Sequence, residues 1–418
     1  MATRIINDTP EIVRRWHFIA LGVALLGSLC TEIKVPGDGI GLQNFLLPAA
    51  GLAMVLLDPG VAVRIWPRNR PVLVALAALV AWSFTASALG LFPTFSIYYW
   101  VKYQVLTVLF IGFLCLLDSR PGWNRAFDLV IGFLLVLAVL GTLEVIFPGS
   151  AFLRLFRSDS SLTMYPRVAS VLPWPNQYGV LMGIGALLTQ LRSPDNPVAD
   201  RFSWIVTIFF LTQVAQSGSR NAWLVVLFGL LWVVGRRFLS ARRGLVLGVV
   251  FIAIVFVLPV SSRQTGLWDK PPVEATQFLL RENEVASTSL SPPGLSLSLR
   301  SKLWREGWAA LRDHPLTGIG LDAFPRTGGL RVMGKEGFNT HNLPLNIAVE
   351  LGLVGLVLAS VFAIQLARNR KPGNRLAEVA VVMVIGGQII DCFIYDATFM
   401  TLSCFFAAAL ITPPEEAS

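Results

Sequence analysis

The sequence predicts an all-helical protein that crosses a membrane about twelve times. Two observations carry this. Of its 418 residues, 54% are hydrophobic and only 14% charged, with a mean hydropathy of +0.65, whereas soluble domains carry about 25% charged residues. The apolar residues are also gathered into runs near the roughly 17–25 residues that a spanning helix needs. The formal net charge of +9 is read as a record of topology, not as affinity for nucleic acid.

The expected spans lie near residues 16–33, 40–57, 71–92, 98–117, 127–147, 176–191, 202–216, 221–235, 245–260, 342–367, 376–393 and 396–412. The last two are so close that they also read as one re-entrant pair. No small-residue cleavage site follows the polar start, so the first run is read as a retained anchor. Alternate short connections are rich in arginine and lysine, as in Arg64, Arg68 and Arg70, in Arg236, Arg237, Arg242 and Arg243, and in Arg368, Arg370, Lys371 and Arg375. The connections between them hold only Lys34 and Arg220. Cytoplasmic loops collect positive charge, so both termini are expected inside. The long connections 148–175 and 261–340 are then expected on the outer face. This divides the chain into helices over 1–260, a large outer segment over 261–341, and the last helices and tail over 342–418.

Within the outer segment, residues 261–299 are rich in Ser, Pro and Glu and read as irregular. Residues 300–313 read as an amphipathic helix. At 100° per residue, Leu303, Trp304, Gly307, Trp308 and Leu311 share one face, which suits a helix lying in the membrane interface. His314-Pro315 ends it, because the residue before proline is pushed out of the helical region.

The chain has three histidines, and His341 stands where the polar segment gives way to an apolar run. Asn339 and Thr340 are capping residue types, and Pro344 suits a first helical turn. A helix start offers free N–H groups to an anion such as phosphate, and an uncharged imidazole there can accept a proton. Arg220, in the turn Ser217-Gly218-Ser219-Arg220-Asn221, is a candidate phosphate clamp, because guanidinium presents a planar fork of donors. Arg300, Lys302 and Arg305 form a second outward basic group. Arg167, with Asn176 opening the next helix, is a third. Each arginine alone reads equally well as a snorkelling or lipid-facing side chain. Among ionisable residues inside the apolar runs, Lys102, Glu144, Glu350 and Asp391 stand out, with structural pairing as the competing role. His314 and Asn342 complete the candidates.

The sequence has no P-loop, DxD, HExxH or GxSxG pattern, so no nucleotide, metal or other cofactor is expected. A transporter would carry midplane charges on broken helices and an internal repeat. The charges here lie mostly near outer helix ends, and no repeat is visible.

The blocks SGSRNAW (217–223), HPLTGIGLDAF (314–324) and THNLPLNIAVELGLVGL (340–356), with RVASVLPWPNQYG (167–179), resemble the O-antigen ligase/polymerase superfamily. The resemblance implies a C-type glycosyltransferase-like inner-membrane enzyme with a large periplasmic loop. The donor would be a glycan on undecaprenyl diphosphate, and for a ligase the acceptor would be a sugar hydroxyl of lipid A–core. An O-antigen polymerase or a protein O-oligosaccharyltransferase is the alternative within the superfamily. His341 would correspond to the family's outer-loop histidine. Arg220, with Arg300 or Arg305, would hold the diphosphate.

Overall fold

A computed structural model describes residues 11–30, 41–118, 123–147, 168–192, 197–257, 295–333, 338–393 and 396–413. Fourteen α-helices and one 3₁₀ turn fall within them. These are α1 (Glu11–Ser28), α2 (Gln43–Leu56), α3 (Pro59–Leu89), α4 (Pro93–Asp118), α5 (Trp123–Ile146), α6 (Pro175–Arg192) and α7 (Pro197–Gln216). The second half holds α8 (Arg220–Gly235), α9 (Ala241–Val257), α10 (Leu295–Asp313), α11 (Gly328–Met333), α12 (Leu343–Arg368), α13 (Arg375–Ile390) and α14 (Ala397–Ile411).

Each segment expected to span coincides with one of these helices. Among the described residues, five regions are long and apolar enough to cross a membrane: Val63–Leu89, Pro93–Asp118, Trp123–Ile146, Val198–Gln216 and Leu343–Arg368. This makes the chain a multi-pass membrane protein. Several other apolar helices are shorter, among them α2, α8 and α14. The helix α3 begins well before its expected start, and Pro67 and Pro71 bracket a kink at Asn69. Proline removes a backbone donor and crowds the preceding turn, so the helix bends there.

The centre of the bundle is α6, which is buried from Gln177 to Gln190 and packs against α5, α7, α8 and α13. Aromatic edges fill the space between α4, α5 and α14, with Phe113 against Phe405 at 5.6 Å and Phe127 against Phe405 at 5.2 Å. Large apolar side chains such as Leu224, Leu231, Leu245 and Val357 remain outward. That pattern fits a hydrocarbon solvent, where backbone polar groups must be satisfied inside helices.

The outer segment is tied into the bundle through a break in α12. Gly352 has φ +71°, a left-handed conformation that glycine adopts without a steric cost. A Cβ there would also collide with the carbonyl of Leu316. The break frees carbonyls and N–H groups, and the 315–322 segment uses them. Ile319 and Gly320 donate to the carbonyls of Val349 and Glu350 at 2.9 and 3.0 Å, and Leu353 donates to Pro315 at 2.8 Å. The Glu350 carboxylate accepts from the backbone of Asp322 at 3.0 Å. A broken helix is therefore present, and its ends are filled by the chain itself.

The amphipathic helix α10 runs over 295–313, longer than the 300–313 expected. Its buried stripe is narrower than the expected face: Leu303, Ala310 and Leu311 pack with Leu345, Ala348 and Val349 of α12. Trp304 and Trp308 flank that stripe and are exposed. Of the expected outer segment, residues 261–294 and 334–337 lie outside the described residues.

Candidate functional site

The site forms where the end of α13 meets the starts of three other helices. Asn342 is the N-cap of α12, its Oδ1 accepting from Leu345 at 2.9 Å. The cap thus falls on Asn342, not on the Asn339 and Thr340 suggested by sequence. The Asn342 amide also donates to the carbonyl of Ile389 at 2.8 Å. Asn221, second residue of α8, donates to Gly387 at 3.3 Å. Asn176, second residue of α6, donates to Asp391 Oδ2 at 2.8 Å. Three helix N-termini are therefore pinned by asparagine amides to the last turn of α13 and the residue after it. Each start carries partial positive charge and free N–H groups.

His341 immediately precedes the α12 cap. Its φ is +51°, costly for most residues with a side chain, and its surroundings hold it there. Its N–H donates to Asn339 Oδ1 at 2.8 Å. Asn339 in turn donates to the carbonyl of Cys392 at 3.3 Å, and Trp304 donates to the carbonyl of Thr340 at 2.9 Å. The imidazole Nδ1 lies 2.7 Å from Asp391 Oδ1. With Nδ1–H donating to the carboxylate, the lone pair of the uncharged ring resides on Nε2, the nitrogen able to take a proton. The His341 side chain is 29% exposed and that of Asp391 only 5%, so the imidazole is accessible while the carboxylate beneath it is not.

Asp391 is the hub. Beyond His341 and Asn176, it accepts from its neighbour's N–H, Cys392, at 2.9 Å and pairs with the Arg300 guanidinium at 3.5 Å. It lies in the connection beyond α13. Burial works to raise its carboxyl, but His341, Arg300 and Asn176 outweigh burial and hold it below the ordinary carboxylate range. A buried carboxylate is stable only when its lone pairs are filled in this way.

The structure brings together His341, Arg300, Asn176 and Asn342, and places Arg220 as the first residue of α8, exposed, directly before the Asn221 that binds α13. The turn ahead of Arg220 is rigid: Ser219 N-caps α8 through Ala222 at 3.1 Å, and its own N–H donates to Ser217 Oγ at 3.2 Å. Arg305 is exposed, five residues and about 140° round the helix from Arg300. His314 is not brought to the site. It caps the far end of α10, roughly 21 Å along the axis from Arg300. Lys102 lies over the Tyr99 ring at 5.2 Å, and no described bond joins it to His341 or Asp391. Arg167 lies outside the described residues. The residues after it are anchored by Glu144, which accepts from Ala169 and Ser170 at 2.9 and 2.8 Å; Glu144 thus has the structural role weighed for it. The residue that sequence reasoning undervalued is Asp391. Its signal was its position, an acid inside an apolar run near the outer end.

Compared with known proteins, residues 205–360 match the family described as O-antigen ligase. No curated protein matches the chain.

Proposed function

The chain belongs to the O-antigen ligase superfamily, and on that premise we propose that it is a glycosyltransferase of the ligase type. It moves polysaccharide from undecaprenyl diphosphate to a sugar hydroxyl of lipid A–core, at the outer face of a bacterial inner membrane. The observation that carries this reading is the gathering of three helix starts, Arg220 and Arg300 around a His341–Asp391 pair. Such a place favours a dianionic leaving group beside a proton acceptor.

The step proposed is a single displacement. The acceptor hydroxyl gives its proton to His341 Nε2 as its oxygen attacks the anomeric carbon. The bond from that carbon to the diphosphate oxygen breaks, its electron pair stays on the diphosphate, and the anomeric centre inverts. Arg220, Arg300 and the free N–H groups stabilise the charge that develops on the leaving oxygen. Asp391 holds the ring in the productive tautomer and offsets the charge His341 gains. Arg167 is proposed to help hold the donor, and Lys102 to support the site from α4. No cofactor enters the step.

The test is reconstitution of the purified chain with lipid-linked glycan and lipid A–core. A ligase joins the glycan to core and releases undecaprenyl diphosphate. If the core stays bare while lipid-linked chains lengthen, the protein is a polymerase. If glycan appears only on an added acceptor protein, it is a protein O-oligosaccharyltransferase. Either result overturns the ligase reading.

Arg220→Lys keeps the charge but loses the fork of donors. It is expected to lower kcat/KM by roughly tenfold to a hundredfold. Wild-type kinetics in that variant would exclude a bidentate contact from Arg220.

A further inference from the structure

The end of the bundle opposite His341 carries a second built site. The helix α12 runs from the His341 end to Arg368, and its 26 residues correspond to roughly 39 Å. Beyond it lies a cavity of about 310 Å³ between the end of α8 and the α12–α13 connection. Arg236, Arg370, Lys371, Arg375, Glu378 and Asn374 line it.

On other basic connections of this end, some arginines are paired with carboxylates. Arg64 pairs with Asp58, Arg68 with Asp118, Arg192 with Asp128 and Arg243 with Asp200. Around the cavity the one carboxylate, Glu378, is held by Arg236 at 3.0 Å and by the Trp232 indole at 3.2 Å. Among the described residues, Arg370, Lys371 and Arg375 have no carboxylate partner. The connection that carries them is fixed. Lys371 donates its N–H to Leu410 at 2.9 Å. The Asn374 amide donates to the carbonyls of Ala409, Leu410 and Thr412 at 2.6, 3.1 and 2.6 Å. Asn374 is 2% exposed, and its Oδ1, which can only accept, is buried with no donor.

We infer that this cavity binds the phosphate of an anionic glycerophospholipid headgroup. Three unpaired cations on a rigid connection supply the phosphate contacts, and a basic pocket between helices at a membrane surface is suited to such a group. The unpaired cations call for a ligand with a net negative charge. Phosphatidylglycerol carries one, whereas phosphatidylcholine has no net charge. The inference stands apart from the transfer chemistry at the other end.

The test uses the purified full-length chain in neutral detergent, with lipid binding read by native mass spectrometry and by the shift in thermal unfolding. Phosphatidylglycerol is expected to bind and to raise the unfolding temperature, and phosphatidylcholine to do neither. R370Q/K371Q/R375Q is expected to bind phosphatidylglycerol on the order of a hundredfold more weakly, from about a factor of five for each cation removed. R64Q/R68Q/R242Q, with the same charge change elsewhere on that end, is expected to bind within a few fold of the wild type. Equal losses in the two triple variants would overturn the site, because only net charge would then matter. A full unfolding shift from inorganic phosphate at the same concentration would overturn the lipid assignment.

Discussion

A chain carrying His341→Asn is expected to fold and to bind its lipid-linked donor, yet to transfer glycan roughly 10² to 10⁴ times more slowly, the range that a positioned general base supplies. Asparagine is the informative replacement. His341 sits at φ +51°, and asparagine tolerates that region better than any other residue except glycine. His341→Ala removes the same base but adds backbone strain, so its loss mixes chemistry with stability. In cells the H341N chain should leave lipid A–core bare while lipid-linked glycan accumulates. In vitro, kcat should fall with little change in donor affinity, because Arg220, Arg300 and the helix starts remain. Wild-type turnover in H341N would show that the acceptor proton leaves by another route.

The second large effect is expected at Asp391. Asp391→Asn exchanges one carboxylate oxygen for an NH₂ and should slow transfer on the order of 10² to 10⁴-fold, the upper figure being the cost of the same change in a serine-protease triad. The carboxylate accepts on both sides, from His341 and Cys392 at Oδ1 and from Asn176 and Arg300 at Oδ2. An amide can accept on one side only. If its oxygen faces His341, its NH₂ meets the donors of Asn176 and Arg300. If it is turned over, it donates to His341 Nδ1 and forces the proton onto Nε2, where the base is needed. Either way a buried polar group is left unsatisfied or the wrong tautomer is fixed. Removing a negative charge beneath Arg300 should leave donor binding equal or tighter. A fall in kcat with an unchanged or lower KM is therefore the signature of positioning. A variant that loses donor affinity and turnover together would point to a collapsed site instead.

The helices were largely readable because each apolar run had a length and flanking polar residues that leave few alternatives. Their ends were less so. Capping types cluster at Asn339, Thr340 and Asn342, and only geometry chooses Asn342. The early start of α3 was hidden because Pro67 and Pro71 read as breakers, while the fold absorbs them in a kink. Arg300 and Arg305 are indistinguishable by composition, and the rotation of α10 against α12 decides which one reaches the carboxylate. His341 could be singled out because it is rare and stands at a polar–apolar boundary. Its partner lies 50 residues away, on the far side of two helices, and no local pattern encodes that pairing. For Asp391 the only trace was an acid in an apolar run. His314 sits in a conspicuous block, but it closes the far end of α10, and the backbone of that block stitches the broken helix α12.

The carboxylate that orients His341 and the asparagine that binds it both lie outside residues 205–360, the region matched to the family. The family-defined segment is thus not a catalytic module. Asn176 enters from the buried central helix α6, and Asp391 from the connection between α13 and α14. A fragment confined to 205–360, or a chimaera that exchanges only that segment, would carry a histidine without the groups that aim it. On the proposed mechanism, a unit able to act must include Asn176 and Asp391 as well as the matched segment, and boundaries for swapping specificity between relatives should be drawn outside those residues.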